Sequence, residues 1–177
     1  MDTKLQTLFN GLETSKIDLL QQINHLDETQ LNWQSQTDKW SVGQIIEHLT
    51  LAEKYMLANI THKLNNRETL IKVGFKTKAK LFLMKAIVRS PFKPKVKASA
   101  RLAAVAQHQD LDNLSTIWNE RRQCLKSILE EITPNLLDKN LASHPLIPDL
   151  TILHGLGILQ GHFNIHKKQI EGVMREM

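Results

Sequence analysis

The stretch DLDNLSTIWNERRQCLKSILEEI, residues 110–132, carries the clearest structural signal in the sequence. Its apolar residues recur every three or four positions, which is the spacing of one buried stripe on an α-helix. Asp110 can cap the start of this helix, and Thr133 and Pro134 end the pattern. The segment therefore predicts a long amphipathic helix. Its apolar positions are Leu111, Leu114, Ile117, Trp118, Leu125, Ile128, Leu129 and Ile132.

Three further segments show helical periodicity. The first runs from about residue 3 to 25. The second begins at Ser41, where the sequence SVGQ places a glutamine three residues after a serine N-cap, and it extends to about residue 63. The last is capped by Asp149 or Thr151 and runs to the C-terminus. The apolar stripe of the first segment consists of Leu5, Leu8, Phe9, Leu12, Ile17, Leu19, Leu20 and Ile23.

The connections between these helices differ in length. Residues 30–39 are polar and are interpreted as a loop, which Trp33 and Trp40 anchor to the core. Glycine and proline residues interrupt the pattern between residues 65 and 98, which indicates a long crossover containing one short helix. A shorter loop passes through Pro145 and Pro148. Four long helices with one long crossover predict an all-α protein, a four-helix bundle that departs from simple up-and-down order.

Length and composition fit this fold. The 177 residues are expected to form a single domain, residues 1–177, and 41% of them are hydrophobic. The single cysteine, Cys124, can form no internal disulfide, which favours a cytoplasmic location. Cys124 is expected to be buried or half-buried in the third helix. Neither an export signal nor a transmembrane segment is expected, because no long apolar run is present.

The basic charge of the chain is concentrated in one segment. Residues 69–109 contain ten Lys or Arg and no acid, whereas the other 13 basic residues share the chain with all 18 acidic residues. An alternative function is therefore a non-catalytic bundle whose 69–109 segment binds nucleic acid or an anionic membrane surface. Nucleic acid is the less favoured partner, because few aromatic residues are available for base stacking. A solvated basic face is the preferred interpretation.

His162 and His166 are the first candidates for a functional site. Four residues apart on a helix, they project about 40° from each other and are separated by about 6 Å along the axis. Both imidazoles can then reach one ion at about 2.0–2.1 Å. They lie among Leu159, Phe163 and Ile170, on a face that must contact other helices. The spacing fits a metal site, and it also fits two histidines with separate structural hydrogen bonds.

His48 is the third candidate, because it lies with Ile45, Leu49 and Ala52 on the inward face of the second helix. A buried polar group without a partner costs about 1–3 kcal/mol. A shared divalent ion would satisfy all three histidines, and so would three separate hydrogen bonds. No general base is evident, since Glu47 projects about 100° away from His48 on the helix.

Two other side chains share faces with these histidines. Tyr55 follows His48 by seven residues and Gln169 follows His166 by three, so either can support the site or contact substrate. Core packing is the preferred role for Tyr55.

Five short motifs follow one another along the chain: Trp40-Ser41 with Ile45 and His48, His144-Pro145, Leu150-Thr151, His162-x-x-x-His166, and Gln169-Ile170. In this order they resemble the DinB/YfiT family of bacterial bundles. In that family one histidine from the second helix and two from the last bind a divalent metal, commonly zinc or nickel. The resemblance implies these ligand roles for His48, His162 and His166.

The resemblance also bears on activity. The family includes enzymes that transfer or isomerise low-molecular-weight thiol conjugates and members described as metal-dependent hydrolases, so it implies a thiol transferase or a hydrolase acting on a small molecule. Homodimers are frequent in the family. The segment Leu146-Ile147-Pro148-Asp149 departs from the family pattern, in which a glycine is usual, and so does Lys167 beside the last ligand. His144 is interpreted as a structural hydrogen-bonding residue and not as a fourth ligand.

Overall fold

The computed structural model describes residues 1–37, 39–75, 77, 79–81, 105–106 and 108–177. This part of the chain contains a one-turn helix, α2, at Glu28–Leu31 and two 3-10 turns at Arg67–Thr69 and Pro134–Leu136. No helix within it is long and apolar enough to span a bilayer. The four long helices are α1 (Thr3–Ile23), α3 (Val42–Asn65), α4 (Leu111–Glu130) and α5 (Ile152–Glu176).

The four long helices form a bundle with an uncommon order, which confirms the predicted fold. Helices α1 and α3 each pack against both α4 and α5, so α1 and α3 lie on one diagonal. One apolar cluster joins the start of α1, the ends of α3 and α4, and the start of α5. A second cluster joins the opposite ends of the same helices. Helices α1 and α5 therefore run in one direction, and α3 and α4 run in the other.

A long connection between α3 and α4 follows from this arrangement, because a short loop cannot return the chain to the start of a parallel neighbour. The short helix predicted within residues 65–98 falls largely outside the described residues. The same holds for most of the basic 69–109 segment. Within its described part, Lys72 forms an ion pair with Asp138 at 3.0 Å.

Side-chain caps fix where the long helices begin. Ser41 and Gln44 form the reciprocal capping box predicted for α3. Asp110 caps α4 as predicted, and Thr151, one of the two residues predicted for α5, accepts a hydrogen bond from the backbone N–H of His154. Trp33 and Trp40 pack against the second apolar cluster, as expected for loop anchors. The sequence pattern therefore predicts the helix starts well.

Two residues expected to be buried or half-buried, one in α1 and one in α4, are exposed. Ile17 is 47% exposed, because the preceding residue, Lys16, takes the inward position and donates a hydrogen bond to Asn119 Oδ1 at 2.7 Å. Cys124 is exposed, because the neighbouring Leu125 occupies the inward face of α4. In each case the choice between adjacent residues depends on a contact with another part of the fold.

A buried ion pair crosses the bundle between α3 and α4. Arg122 donates two hydrogen bonds to Glu53, at 2.9 and 2.6 Å, and Trp118 Nε1 donates a third at 2.9 Å. Glu53 and Arg122 are 5% and 1% exposed. Burial of two charges is tolerated here because each is paired and hydrogen-bonded.

A β-hairpin occupies the segment that was predicted to be a loop. Strands β1 (Ala142–His144) and β2 (Ile147–Leu150) are antiparallel and pack against the start of α5. Gly155 permits this approach, since a Cβ atom there would lie 2.7 Å from the Cβ of Ala142. The hairpin covers the apolar end of the bundle and leads the chain into the helix that carries His162 and His166.

Candidate metal centre

The antiparallel packing of α3 and α5 brings three histidines together. His48 lies near the start of α3, whereas His162 and His166 lie on either side of the middle of α5. Their ligand atoms all lie within 4.8 Å of one another, and the Nε2 atoms of His48 and His162 are 3.1 Å apart. The structure thus places all three predicted residues in one group, here called the three-histidine cluster.

The imidazole rings of the three-histidine cluster pack edge to face. Their centroids are 4.5–5.1 Å apart: 5.1 Å for His48 and His162, 4.7 Å for His48 and His166, and 4.5 Å for His162 and His166. The Trp40 ring covers one side, with its centroid 4.8 Å from that of His48 and 6.5 Å from that of His166. Trp40 is therefore part of the cluster's wall as well as a loop anchor.

Burial keeps two of these histidines neutral. It lowers the pKa of His162 to about 3, with smaller contributions from the charges of His166, His48 and His144. It also lowers the pKa of His166 to about 4, with a further contribution from the charge of His48. A neutral imidazole has an unprotonated nitrogen, which is the form that binds a metal ion.

Gln169 determines which ring nitrogen of His166 can bind a metal ion. Its side-chain oxygen, Oε1, lies 2.9 Å from His166 Nδ1. An amide oxygen only accepts hydrogen bonds, so Nδ1 carries the proton and the lone pair is on Nε2. Hydrogen bonds of this kind orient the histidines that bind metals in proteins.

The chemistry of the three-histidine cluster fits a divalent ion. Zinc and related ions bind imidazole nitrogen at about 2.0–2.1 Å, which places neighbouring ligands roughly 3.3 Å apart in a tetrahedral site. The 3.1 Å between His48 and His162 is close to that separation. The same distance also allows an N–H···N hydrogen bond in the metal-free protein. His48 is 4% exposed, so its polar ring needs a partner in either case.

The acidic residues near His48 are engaged elsewhere. Glu47 accepts hydrogen bonds from the backbone N–H of Ala106 at 2.8 Å and from the Gln109 amide at 2.6 Å. Glu53 is buried against Arg122. Within the described residues, the three-histidine cluster includes no carboxylate.

The segment that contains Ala106 and Gln109, the two residues that donate hydrogen bonds to Glu47, crosses the start of α3 at close range. A Cβ atom on Gly43 would lie 2.6 Å from the Cβ of Gln109, so the crossing requires a residue without a side chain. This close packing holds Ala106 and Gln109 within hydrogen-bond distance of Glu47.

The other histidines do not join the cluster. His144 accepts a hydrogen bond at Nδ1 from the backbone N–H of Leu146 at 3.3 Å, in agreement with a structural role, and burial lowers its pKa. His154 bonds to Thr151 at the start of α5, and His108 pairs with Glu28. His25 and His62 are exposed.

Tyr55 is 37% exposed, so its predicted role in core packing was wrong. It lies on the solvent side of α3 because the neighbouring Met56 takes the inward position.

A groove opens beside the three-histidine cluster. It has a volume of about 570 Å³ and lies between the loop that precedes α3 and the last turns of α5. Two of its lining residues, Trp40 and Gln169, also contact His166. No local sequence pattern indicates this groove, because its walls come from segments that are distant along the chain. The other lining residues are Lys39, Gly172, Val173 and Glu176.

Comparison with known proteins supports the fold and identifies the family. A similar solved structure is that of YfiT from Bacillus subtilis, described as a probable metal-dependent hydrolase with an unusual four-helix bundle topology. The two structures superpose with a TM-score of 0.60 at 15% sequence identity, over 100% of this chain and 90% of YfiT. A search of curated protein sequences finds no match. The profile of the DinB superfamily matches residues 12–170, and the chain therefore belongs to the DinB superfamily.

Proposed function

We propose that the protein is a divalent-metal-dependent hydrolase whose ion is held by His48, His162 and His166. The observation that carries this proposal is the convergence of three imidazoles within 4.8 Å on facing helices. The description of YfiT as a probable metal-dependent hydrolase supports hydrolysis as the reaction. Zinc or nickel is the expected ion, since imidazole nitrogen suits both.

Three histidine ligands leave at least one coordination position for a reactant, at which the ion supplies Lewis-acid chemistry and lowers the pKa of water or a thiol. The protein's own groups prepare this site. Burial keeps His162 and His166 neutral at pH 7, and Gln169 orients His166. Trp40 shields one side from water. The groove offers room for a small-molecule substrate beside the cluster.

The hydrogen bonds of the nearby acidic residues restrict which reactions the site can catalyse. Glu47 and Glu53 are held by hydrogen bonds to other groups, so neither is placed to act as a general base for a reactant at the cluster. A divalent ion held by the three histidines would supply the activation of the nucleophile. Water and a low-molecular-weight thiol are both activated in this way, so thiol transfer is the alternative reaction at the same site.

Metal analysis of untagged protein tests the ligand assignment. We expect one equivalent of zinc or nickel in the wild type after loading, and loss of that equivalent in His48→Ala, His162→Ala and His166→Ala. His62→Ala is the matched control, because His62 is exposed on the same helix as His48. A wild type that takes up no metal, or a His48→Ala variant that binds as the wild type does, would refute the proposal.

A paired activity screen separates the two reactions. Metal-loaded protein is incubated with chromogenic esters and amides, with and without low-molecular-weight thiols. Turnover without thiol assigns hydrolysis. Turnover that requires the thiol, with a thioester product and release of the alcohol or amine, assigns thiol transfer. Either activity must disappear after chelation and in His162→Ala.

A further inference from the structure

The loop before α3 carries the aromatic ring that covers one side of the three-histidine cluster. The centroid of the Trp40 ring lies 4.8 Å from that of His48 and 6.5 Å from that of His166. His48, the histidine that Trp40 contacts most closely, is 4% exposed. The position of the Trp40 ring therefore governs access to this side of the cluster.

Lys39, the neighbour of Trp40, links this loop to α5. Its Nζ atom lies 3.5 Å from Glu176 Oε2. Both residues line the groove beside the cluster, Lys39 from the loop and Glu176 from the last turn of α5. The ion pair thus bridges the groove, and it joins the loop to the helix that carries two of the three histidines.

The first part of the loop is tied to segments other than α5. Asn32 forms two hydrogen bonds with the backbone of Gln109: its amide donates to the carbonyl at 2.9 Å, and its oxygen accepts from the N–H at 2.7 Å. The Gln34 amide donates a hydrogen bond at 2.8 Å to a side chain in the first turn of α3. These ties leave Lys39 and Trp40 as the part of the loop that can move relative to α5.

We propose that the Lys39–Glu176 ion pair is a latch, which holds Trp40 over the three-histidine cluster and opens to admit a metal ion or a small molecule. This inference rests on the proposed function, since it concerns access to the same site. Both side chains are about half exposed, at 46% and 50%. An ion pair between such groups shifts an equilibrium by roughly two- to fivefold, so the latch is weak enough to open. Its loss should raise the fraction of open protein by the same factor.

Stopped-flow mixing of metal-free protein with zinc, followed by tryptophan fluorescence, measures how fast the ion reaches the cluster. Lys39→Gln and Glu176→Gln should each bind zinc roughly two- to fivefold faster than the wild type, because each removes the latch. Attraction of the cation by the local charge predicts a different result, in which Lys39→Gln is faster and Glu176→Gln is slower. Lys168→Gln is the matched control, since Lys168 is an exposed residue of α5 that does not line the groove. It should bind zinc at the rate of the wild type.

Exchange of the two charges tests whether the pair itself is responsible. The double variant Lys39→Glu, Glu176→Lys can form the ion pair again, so its rate should return to within about twofold of the wild type. Salt screens exposed charges. The difference between the wild type and the two neutral variants should therefore shrink as the ionic strength rises from about 0.05 M to about 1 M.

Acrylamide quenching of tryptophan fluorescence detects movement of Trp40 without any metal. In a Trp33→Phe background the remaining tryptophans are Trp40 and Trp118, and Trp118 is fully buried. Quenching then reports on Trp40. It should increase in both neutral variants and return to the level of the parent protein when the charges are exchanged. Circular dichroism checks that each variant keeps its helical content.

The outcomes separate the latch from the proposed function. Slower zinc uptake by Glu176→Gln than by the wild type would overturn the latch, and so would a charge-exchanged variant that behaves like the neutral ones. Unchanged quenching of Trp40 in both neutral variants would also overturn it. Absence of zinc uptake by every protein would overturn the proposed function, and the quenching measurements would then decide on the latch alone.

Discussion

The Nε2 atoms of His48 and His162 lie 3.1 Å apart, although 114 residues separate them along the chain. Helices α3 and α5 run antiparallel, and this packing alone brings the two rings together. The contact therefore depends on how the helices are arranged in the bundle, and it forms part of the candidate metal centre. Metal bound there would join the two helices directly.

Zinc or nickel should therefore stabilise the folded protein. A ligand that binds only the native state at 100 times its Kd adds about 2.7 kcal/mol to the free energy of unfolding. We expect the melting temperature to rise by several degrees after loading, and His162→Ala to lose this rise. His62→Ala should keep it. A rise of equal size in wild type and His162→Ala would place the bound metal elsewhere.

The metal-free protein should lose stability as the pH falls from about 6.5 towards 4. His162 and His166 have folded-state pKa values of about 3 and 4, below the ordinary value of 6.5. The unfolded chain binds protons at pH 5 that these two buried rings do not, so stability is fully present above 6.5 and falls below it. Each ring contributes at most about 1.4 kcal/mol per pH unit.

Urea unfolding at pH 7.5, 6.0 and 5.0 in the presence of a chelator measures this loss. The double variant His162→Ala, His166→Ala should show a smaller drop between pH 7.5 and 5.0 than the wild type. Equal slopes in the two proteins would contradict the assignment of the pH dependence to these rings.

Sequence periodicity predicts the helices better than it predicts their contacts. The caps at Ser41 and Thr151 follow local rules, and so does the His162–His166 pair. The inward position of Lys16 depends on Asn119, a partner about a hundred residues away, and no local pattern indicates it. The groove and the ion pair on Glu53 are likewise formed by distant segments. Local rules therefore locate the ligands, whereas tertiary packing determines what surrounds them.

Replacement of Gln169 should weaken metal binding without unfolding the protein. Gln169 is exposed, and its oxygen holds the proton of His166 on Nδ1. Loss of such a hydrogen bond costs about 10- to 100-fold in metal affinity. We expect this loss in Gln169→Leu and recovery in Gln169→Glu, because a carboxylate oxygen also accepts from Nδ1. Competition with a chromophoric chelator measures the affinity. Similar affinities for wild type and Gln169→Leu would exclude this positioning role.

Removal of one partner of the buried pair should be far more damaging than removal of both. In Arg122→Met the buried carboxylate of Glu53 loses its bidentate ion partner. We expect this loss to lower the free energy of unfolding by about 3–5 kcal/mol. Combination with Glu53→Leu should restore much of the stability, since an apolar pair of similar volume avoids the cost of desolvating charge. Urea unfolding of the two single variants and the double variant provides the comparison. A double variant less stable than either single variant would contradict this expectation, because removal of the second charge would then have relieved no cost of an unpaired buried group.

Two glycines of α5 should respond in opposite directions to the same substitution. At Gly155 a Cβ atom would lie 2.7 Å from the Cβ of Ala142, so Gly155→Ala must push β1 away from the helix. Such overpacking typically costs about 1–3 kcal/mol. At Gly157 no atom lies within 4 Å of a Cβ, so Gly157→Ala should stabilise the helix by about 0.5–1 kcal/mol. Thermal unfolding of the two variants measures the difference.

Because β1 leads to His144 and packs against both α3 and α5, Gly155→Ala should also weaken metal binding, whereas Gly157→Ala should not. Equal stability of the two variants would show that the hairpin can move away from α5 at no cost, and unchanged metal affinity would show that the three-histidine cluster does not depend on it.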